Sequence, residues 1–359
     1  MVLVVLFSVG TSILIVPSLL ASETKQDAWI VATLGTAIGL IVIWLFCLIA
    51  QWFPNLTFVQ MMEKVLGRWL GKAASLLLVF MSFIYTAILL FYSGTFLNTH
   101  LMPNTPMVAL NILLAIIIVM GVRLGLETIA RSAEVLILFC LIFFLFLVFF
   151  ISPQVNLDNL QPVFEAEPKK IVQTSLSFIE VTSVNAIVLL MIFPAFINTG
   201  LKAKKFFLIG NLLGGIVIII FTFLCVAVLG AYNTGIELYP GYVLAKRINI
   251  GEFIQRIEAL MGTLWIIALY YKATIYFYVT VLGFAQIFNL KDYRPLTIPF
   301  GIIAVVISIV IFPDVIYQQR WDTTIGLMFS YTIGVFLPIL LIVVYAIRRK
   351  QLKKVPEEP

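Results

Sequence analysis

The chain has 359 residues, of which 62% are apolar and only 11% are charged. Soluble domains have roughly 45–50% apolar and about 25% charged residues, so this composition excludes a soluble protein and predicts one integral membrane domain over residues 1–359. The net charge of +6 arises mainly from basic residues in short loops and at the C-terminus. Because such a distribution is a topology signal, it gives no reason to expect nucleic-acid binding.

Apolar runs of membrane-spanning length recur along the whole chain. A helix that crosses a bilayer needs about 17–25 apolar residues, and ten runs of that kind predict an all-α polytopic protein. The predicted spans lie near residues 2–20, 28–50, 73–97, 107–122, 133–151, 178–198, 206–230, 257–286, 297–313 and 325–347.

An even number of spans places both termini on one side of the membrane. The loops on that side and the tail 348–359 contain most of the lysines and arginines, so the positive-inside rule predicts cytoplasmic termini. A cleavable signal peptide over residues 1–20 is an alternative interpretation of the first run, but it has no basic leader. We expect instead a functional span that a short cytoplasmic segment precedes.

The first span is predicted to be interrupted. Gly10, Thr11 and Ser12 are followed by Pro17, which puts a flexible residue, two hydroxyls and a proline within two helical turns. A helix break inside lipid exposes backbone polar groups, and it is tolerated where those groups line a cavity or bind a ligand. Alternatively, the pattern reflects only the frequency of Gly and Pro in membrane helices.

The sixth span shows a similar pattern, with Asn185 followed by Pro194. The two interruptions correspond if the chain consists of two five-span repeats, near residues 1–151 and 178–347. An odd number of spans in each repeat gives the repeats inverted topologies. Paired interruptions in the leading spans predict an inverted-repeat transporter fold with discontinuous helices 1 and 6 and a site near the membrane midplane.

Lys272 lies near the centre of the eighth predicted span. An ionisable group at that depth costs at least about 2.5–3.5 kcal/mol and is functional by default. Glu134, Glu180 and Glu258 all lie near predicted span ends, so the sequence shows no deep carboxylate to pair with it. Lys272 is expected to bind carbonyls of an unwound helix or a ligand carboxylate, or else to line a structural water pocket.

Two tyrosines are further candidates for the site. Tyr276 follows Lys272 by one helical turn on the same face, and Tyr85 lies in the third span. Packing is the alternative role of both. The chain shows no metal-ligand spacing, phosphate-binding loop or paired carboxylates, so the sequence predicts neither an enzyme nor a cofactor or metal site.

Several segments together resemble the B subunits of bacterial spore germination receptors, which belong to the amino acid–polyamine–organocation transporter superfamily. They occur in the family's order over nearly the whole chain. The matching segments are 10–17, 26–30, 159–162 and 192–195, with Gly251, Glu252, Phe253, Arg256, Glu258 and Trp265.

The resemblance implies a ten-helix inverted-repeat fold, a location in the spore inner membrane, and assembly with an A-type membrane subunit and a C-type lipoprotein. It also implies a ligand pocket formed by helices 1, 3, 6 and 8. The positions carried over are Gly10 as the backbone approach point, with Thr11 and Ser12 beside it, Tyr85 and Asn185 as pocket walls, and Lys272 and Tyr276 from the eighth helix.

Two positions depart from the family pattern. Val184 and Asn185 replace a Gly-Glu pair that is common in related sequences, so a carboxylate role in the sixth helix is not transferred. Lys272 occupies a polar position of the eighth helix and could take the place of a sodium ion that some superfamily members bind.

The leading hypothesis is a non-enzymatic receptor subunit that binds a small nutrient germinant, expected to be an amino acid, and signals through partner subunits. The alternative is a proton-coupled amino acid transporter, against which stands the absence of a deep carboxylate in the predicted spans. A third alternative is a channel or membrane scaffold whose pocket binds nothing.

Overall fold

The computed structural model describes residues 1–193, 195–196, 200–248 and 257–352, with the backbone alone at residues 200–202 and 352. Within these ranges the chain is helical and has no β-strand. The α-helices are α1 (Val2–Val9), α2 (Ser12–Thr24), α3 (Ala28–Ala50), α4 (Phe58–Leu66), α5 (Arg68–Phe96), α6 (Met107–Leu124), α7 (Leu126–Ile151), α8 (Pro168–Thr182), α9 (Gly200–Leu229), α10 (Ala231–Ile236), α11 (Pro240–Lys246), α12 (Glu258–Ile287), α13 (Thr297–Val310), α14 (Val315–Thr323), α15 (Ile325–Tyr331) and α16 (Leu337–Leu352).

The helices of the described ranges make ten passes. Eight helical segments are long and apolar enough to cross a membrane, and one of them, Ser12–Ala50, contains both α2 and the second pass, α3. The shorter apolar segment Arg294–Val310, which contains α13, makes the ninth pass. In the last pass, α15 continues into α16 through a π-helical turn at Thr332–Phe336.

The outward faces of the bundle are apolar, as lipid contact requires. Large side chains such as Ile117, Leu141 and Ile302 are exposed on α6, α7 and α13. In the interior of the bundle, α12 packs along α5, and its side chains Trp265 and Tyr271 are completely buried. The outer helices therefore present apolar side chains to the lipid, while α12 is enclosed by other helices.

The first pass consists of α1 and α2, which are separated at Gly10 and Thr11. Gly10 has φ −9° and ψ −92°, a conformation that no regular helix uses. Pro17 lies inside α2, which is continuous through it, so the prediction that Pro17 breaks the helix is wrong. A proline lacks an amide hydrogen, and here its absence costs α2 one backbone hydrogen bond without ending the helix.

The sixth pass begins earlier than its apolar run indicates. α8 starts at Pro168, which suits a first helical turn because its missing amide would have no partner there. The α-helix ends at Thr182, and after Ser183 the chain continues as a 3-10 helix over Val184–Met191. The predicted start near residue 178 is therefore wrong. Pro194, the other predicted break, lies outside the described residues.

The segment 230–248, which follows α9, is largely helical. It forms α10 and α11, and α11 packs against α12 and α2 with Tyr242 and Leu244 buried. The apolar side chains of α11 are therefore buried within the protein. The predicted repeat boundaries, near 1–151 and 178–347, stay predictions.

Candidate functional site

Lys272 connects the two interrupted passes. Its side chain is 2% exposed, and its Nζ donates hydrogen bonds to Thr11 Oγ1 at 3.1 Å and to the carbonyl oxygen of Val181 at 3.0 Å. The Nζ also lies 5.2 Å from the centroid of the Phe7 ring. Among the described residues, Lys272 forms no ion pair within 4.0 Å. A buried cation thus meets neutral oxygens and one aromatic face.

The Val181 carbonyl is available because α8 ends one residue later. The last carbonyls of a helix lack intrahelical partners and carry partial negative charge, which makes them favourable partners for an ammonium group. Thr11 is the N-cap residue of α2, yet its side chain makes no capping hydrogen bond. Its hydroxyl accepts from Lys272 instead, and the first amides of α2 remain free of a side-chain cap.

Glu180 is the deep carboxylate that the sequence analysis did not find. It is 5% exposed on α8, and its Oε1 accepts from Asn185 Nδ2 at 2.7 Å, from Ser330 Oγ at 2.6 Å and from Tyr85 Oη at 3.1 Å. The prediction that Glu180 lies near a span end is wrong, because the sixth pass starts at Pro168. A proline followed by an uninterrupted helix-compatible stretch was the signal that could have revealed this.

The two predicted tyrosines lie together at the same place. The rings of Tyr85 and Tyr276 stack with centroids 5.4 Å apart and an interplanar angle of 17°. Phe7 lies on Tyr276 at 5.3 Å. The hydroxyl of Tyr276 and the Oδ1 of Asn185 are buried and have no hydrogen-bond partner among the described residues. Because buried polar atoms are rarely left unpaired, these two atoms mark a place that a ligand can complete.

These side chains line a cavity of about 520 Å³. Five of the seven predicted ligand-binding residues belong to its wall, namely Thr11, Tyr85, Asn185, Lys272 and Tyr276. The wall continues along α2, α10 and α14 toward the side predicted to be outside. On that side Tyr92 Oη donates to both carboxylate oxygens of Asp322 at 2.7 Å, which connects α5 to α14.

Gly10 and Ser12 do not line the cavity. A Cβ atom at Gly10 would lie 2.6 Å from Cδ of Lys272, so the missing side chain makes room for the stem of the lysine. Ser12 is fully buried, and no described residue forms a hydrogen bond with its hydroxyl. Gly10 contacts the stem of Lys272, and its role as the backbone approach point for a ligand, which the resemblance implies, stays a prediction.

A second cavity, of about 720 Å³, lies at the other end of the bundle. Its wall is mainly apolar, from Met1–Val4, the start of α7 and the end of the 3-10 segment, with Glu127 and Glu134 as its acidic members. No group of three or more His, Cys, Asp or Glu side chains suited to a metal is found among the described residues. The buried polar groups and the predicted residues are concentrated in the first cavity.

The sequence matches the spore permease family model, described as spore germination protein, over residues 1–316. Similar proteins from Bacillus subtilis (strain 168) include Spore germination protein KB, 29% identical over 315 residues that cover 86% of this chain and 83% of that protein. Spore germination protein YndE is 25% identical over 362 residues, with coverage of 97% and 95%.

Solved structures of transporters are similar in fold. The structure of Mhp1, a nucleobase-cation-symport-1 family transporter in a closed conformation with bromovinylhydantoin bound, has a TM-score of 0.72 and 15% identity over 97% of this chain and 78% of its own. MhsT in complex with L-phenylalanine has a TM-score of 0.68 and 14% identity over 96% and 97%. At these identities the likeness shows the fold alone.

Proposed function

The chain belongs to the spore permease family of spore germination proteins, and from this premise we propose that it is a subunit of a spore germination receptor that binds a small nutrient germinant. The germinant is an amino acid, bound near the middle of the membrane in the cavity of about 520 Å³. Binding shifts a conformational equilibrium that partner subunits detect.

The observation that carries this proposal is the arrangement at Lys272. Its ammonium group is buried, has no acidic partner within 4.0 Å among the described residues, and lies on the wall of the cavity. Next to it, Thr11 begins α2, whose first amides and positive dipole end favour an anion. A ligand carboxylate satisfies both requirements, since it accepts from the lysine and from the amides together.

The partners and location follow the family. We propose assembly with an A-type membrane subunit and a C-type lipoprotein, in the spore inner membrane, with both termini in the cytoplasm. Family membership and the multi-pass helical fold support this assignment. The described ranges contain a polar-lined cavity and no soluble signalling domain, so transmission through other chains would account for a receptor role.

The direct test is a thermal-shift screen of the purified chain against amino acids, sugars and nucleosides. A bound ligand stabilises the folded state by RT ln(1 + L/Kd), where L is the free ligand concentration, so selective stabilisation by one compound identifies the ligand class. Stabilisation by amino acids supports the proposal. Silence across the panel would contradict a site formed by this chain and would favour the scaffold.

A proton-coupled amino acid transporter is the second candidate, and Glu180 favours it. The sequence-based argument against a transporter was the absence of a deep carboxylate, and Glu180 supplies one beside the cavity. A buried carboxylate can bind and release a proton in a transport cycle. Uptake of a labelled amino acid into vesicles that carry a pH gradient separates the two functions, because a receptor binds without net uptake.

A further inference from the structure

Glu180 keeps one carboxylate oxygen for a ligand. All three of its hydrogen-bond donors, Tyr85, Asn185 and Ser330, converge on Oε1. No described residue donates to Oε2, although the side chain is 5% exposed and lines the cavity. A buried carboxylate is stable when its charge is paired or fully hydrogen-bonded, so Oε2 needs a further donor.

Two more acceptors belong to the wall of the same cavity. Because Nδ2 of Asn185 donates to Glu180, the amide orientation is fixed and Oδ1 is the atom that lacks a partner. The hydroxyl of Tyr276 also lacks one. Both side chains are at most 3% exposed. Glu180, Asn185 and Tyr276 thus present three oxygens that can accept a hydrogen bond, one of them anionic, and the Tyr276 hydroxyl can also donate.

A primary ammonium group has three donors, one positive charge and no acceptor. These properties match the three acceptors, and a neutral hydroxyl or a quaternary ammonium would leave at least one of them unsatisfied. The opposite charge is provided nearby, since Lys272 binds the carbonyl of Val181, the residue next to Glu180. The wall of the cavity therefore offers a cation and an anion to the two ends of one small molecule.

We infer that the cavity takes a zwitterion whose primary ammonium group binds among Glu180, Asn185 and Tyr276, and that Glu180 is the residue that selects the charged amine. This inference rests on the proposed function and adds to it the orientation of the ligand. The carboxylate lies toward Thr11 and Lys272, and the ammonium lies toward Glu180.

The test compares three ligands with one carbon skeleton: the amino acid that stabilises the wild-type chain, its α-hydroxy acid and its N-trimethyl derivative. Dissociation constants are measured by calorimetry on the purified full chain. We expect the hydroxy acid to bind at least about tenfold more weakly than the amino acid and the N-trimethyl derivative not to bind. Equal affinities in this series would overturn the inference, whatever any variant does.

The matched variants are Glu180→Gln, on α8, and Glu167→Gln, at the exposed N-cap residue of the same helix. Glu180→Gln should reduce the preference for the amino acid over the hydroxy acid to nearly one, and Glu167→Gln should leave it unchanged. A preference that survives in Glu180→Gln overturns this inference and leaves the proposed function intact. If the wild-type chain binds no amino acid, the proposed function and the inference both fail.

Discussion

The Nζ of Lys272 lies 3.0 Å from the carbonyl oxygen of Val181, so a side chain of the eighth pass is bound to the backbone at the interruption of the sixth. The same Nζ reaches Thr11 at the interruption of the first pass. One lysine therefore supplies polar partners to both discontinuous helices, and this explains how a charge that deep in the bundle is accommodated.

Lys272→Met should abolish ligand-dependent stabilisation while the protein still inserts and folds. Methionine preserves an apolar stem and removes the charge, so a bound carboxylate loses a charged partner and binding weakens by at least about tenfold. The measurements are the thermal shift with ligand and the abundance in the membrane fraction. Lys205→Met on the exposed face of α9 is the control. Loss of the protein from the membrane would mean that Lys272 has a structural role.

Gly10→Ala should lower the free energy of unfolding, because the new methyl group would clash with the aliphatic part of the Lys272 side chain. The new Cβ would lie 2.6 Å from Cδ of the lysine, and the side chain must move away from Thr11. In a Lys272→Ala background the stem is absent, so the same change should cost much less. A double-mutant cycle on unfolding free energies measures this coupling. Additive effects of the two substitutions would contradict the proposed contact.

Ser330→Ala should destabilise the chain by about 1–3 kcal/mol, because it removes a donor to a buried carboxylate. The hydrogen bond from Ser330 Oγ to Glu180 Oε1 is 2.6 Å long and joins α15 to α8. Denaturation in detergent provides the unfolding free energy. Ser152→Ala, at an exposed serine, serves as the reference and should change it little. Equal costs at both serines would mean that the contact with Glu180 contributes nothing.

Thr57→Ala should destabilise the chain by about 1–2 kcal/mol without changing the affinity for ligand. Thr57 and Gln60 form a capping box at the start of α4, and the threonine hydroxyl donates to Gln286 Oε1 at 2.7 Å. Thr57→Ser keeps both bonds and should retain wild-type stability. Calorimetric titration with the same ligand gives the affinity. A weaker affinity in Thr57→Ala would show that α4 influences the cavity.

Much of the fold could be predicted, because lipid imposes simple constraints on sequence. The prediction of a polytopic all-α protein with about ten spans is confirmed, and so is membership of the germination permease family. Runs of apolar residues locate spans reliably. A lysine inside such a run indicates a functional position, because placing an ionisable group in the membrane costs free energy. Lys272 was found in this way, and the structure places it beside the interruption at Gly10.

The missing parts of the site depend on features that hydropathy does not report. The position of Glu180 within the sixth pass was not predicted, because α8 begins with a polar, partly exposed turn at Pro168 that a hydropathy window assigns to a loop. No sequence pattern marks Ser330, whose contact with Glu180 depends on the packing of α15 against α8. Likewise, the first pass is interrupted at Gly10 and not at Pro17, where a break was predicted. Such assignments require knowledge of which helices are neighbours.

The 3-10 segment Val184–Met191 has a mechanical consequence. A 3-10 helix rises by about 2.0 Å per residue and an α-helix by about 1.5 Å, so the eight residues are about 4 Å longer than they would be as an α-helix. Asn185 at one end lines the first cavity and Leu189 near the other lines the second. Asn185 and Leu189 are four residues apart, so rewinding of this stretch to an α-helix would bring them about 2 Å closer along the helix axis and rotate Asn185 relative to Leu189.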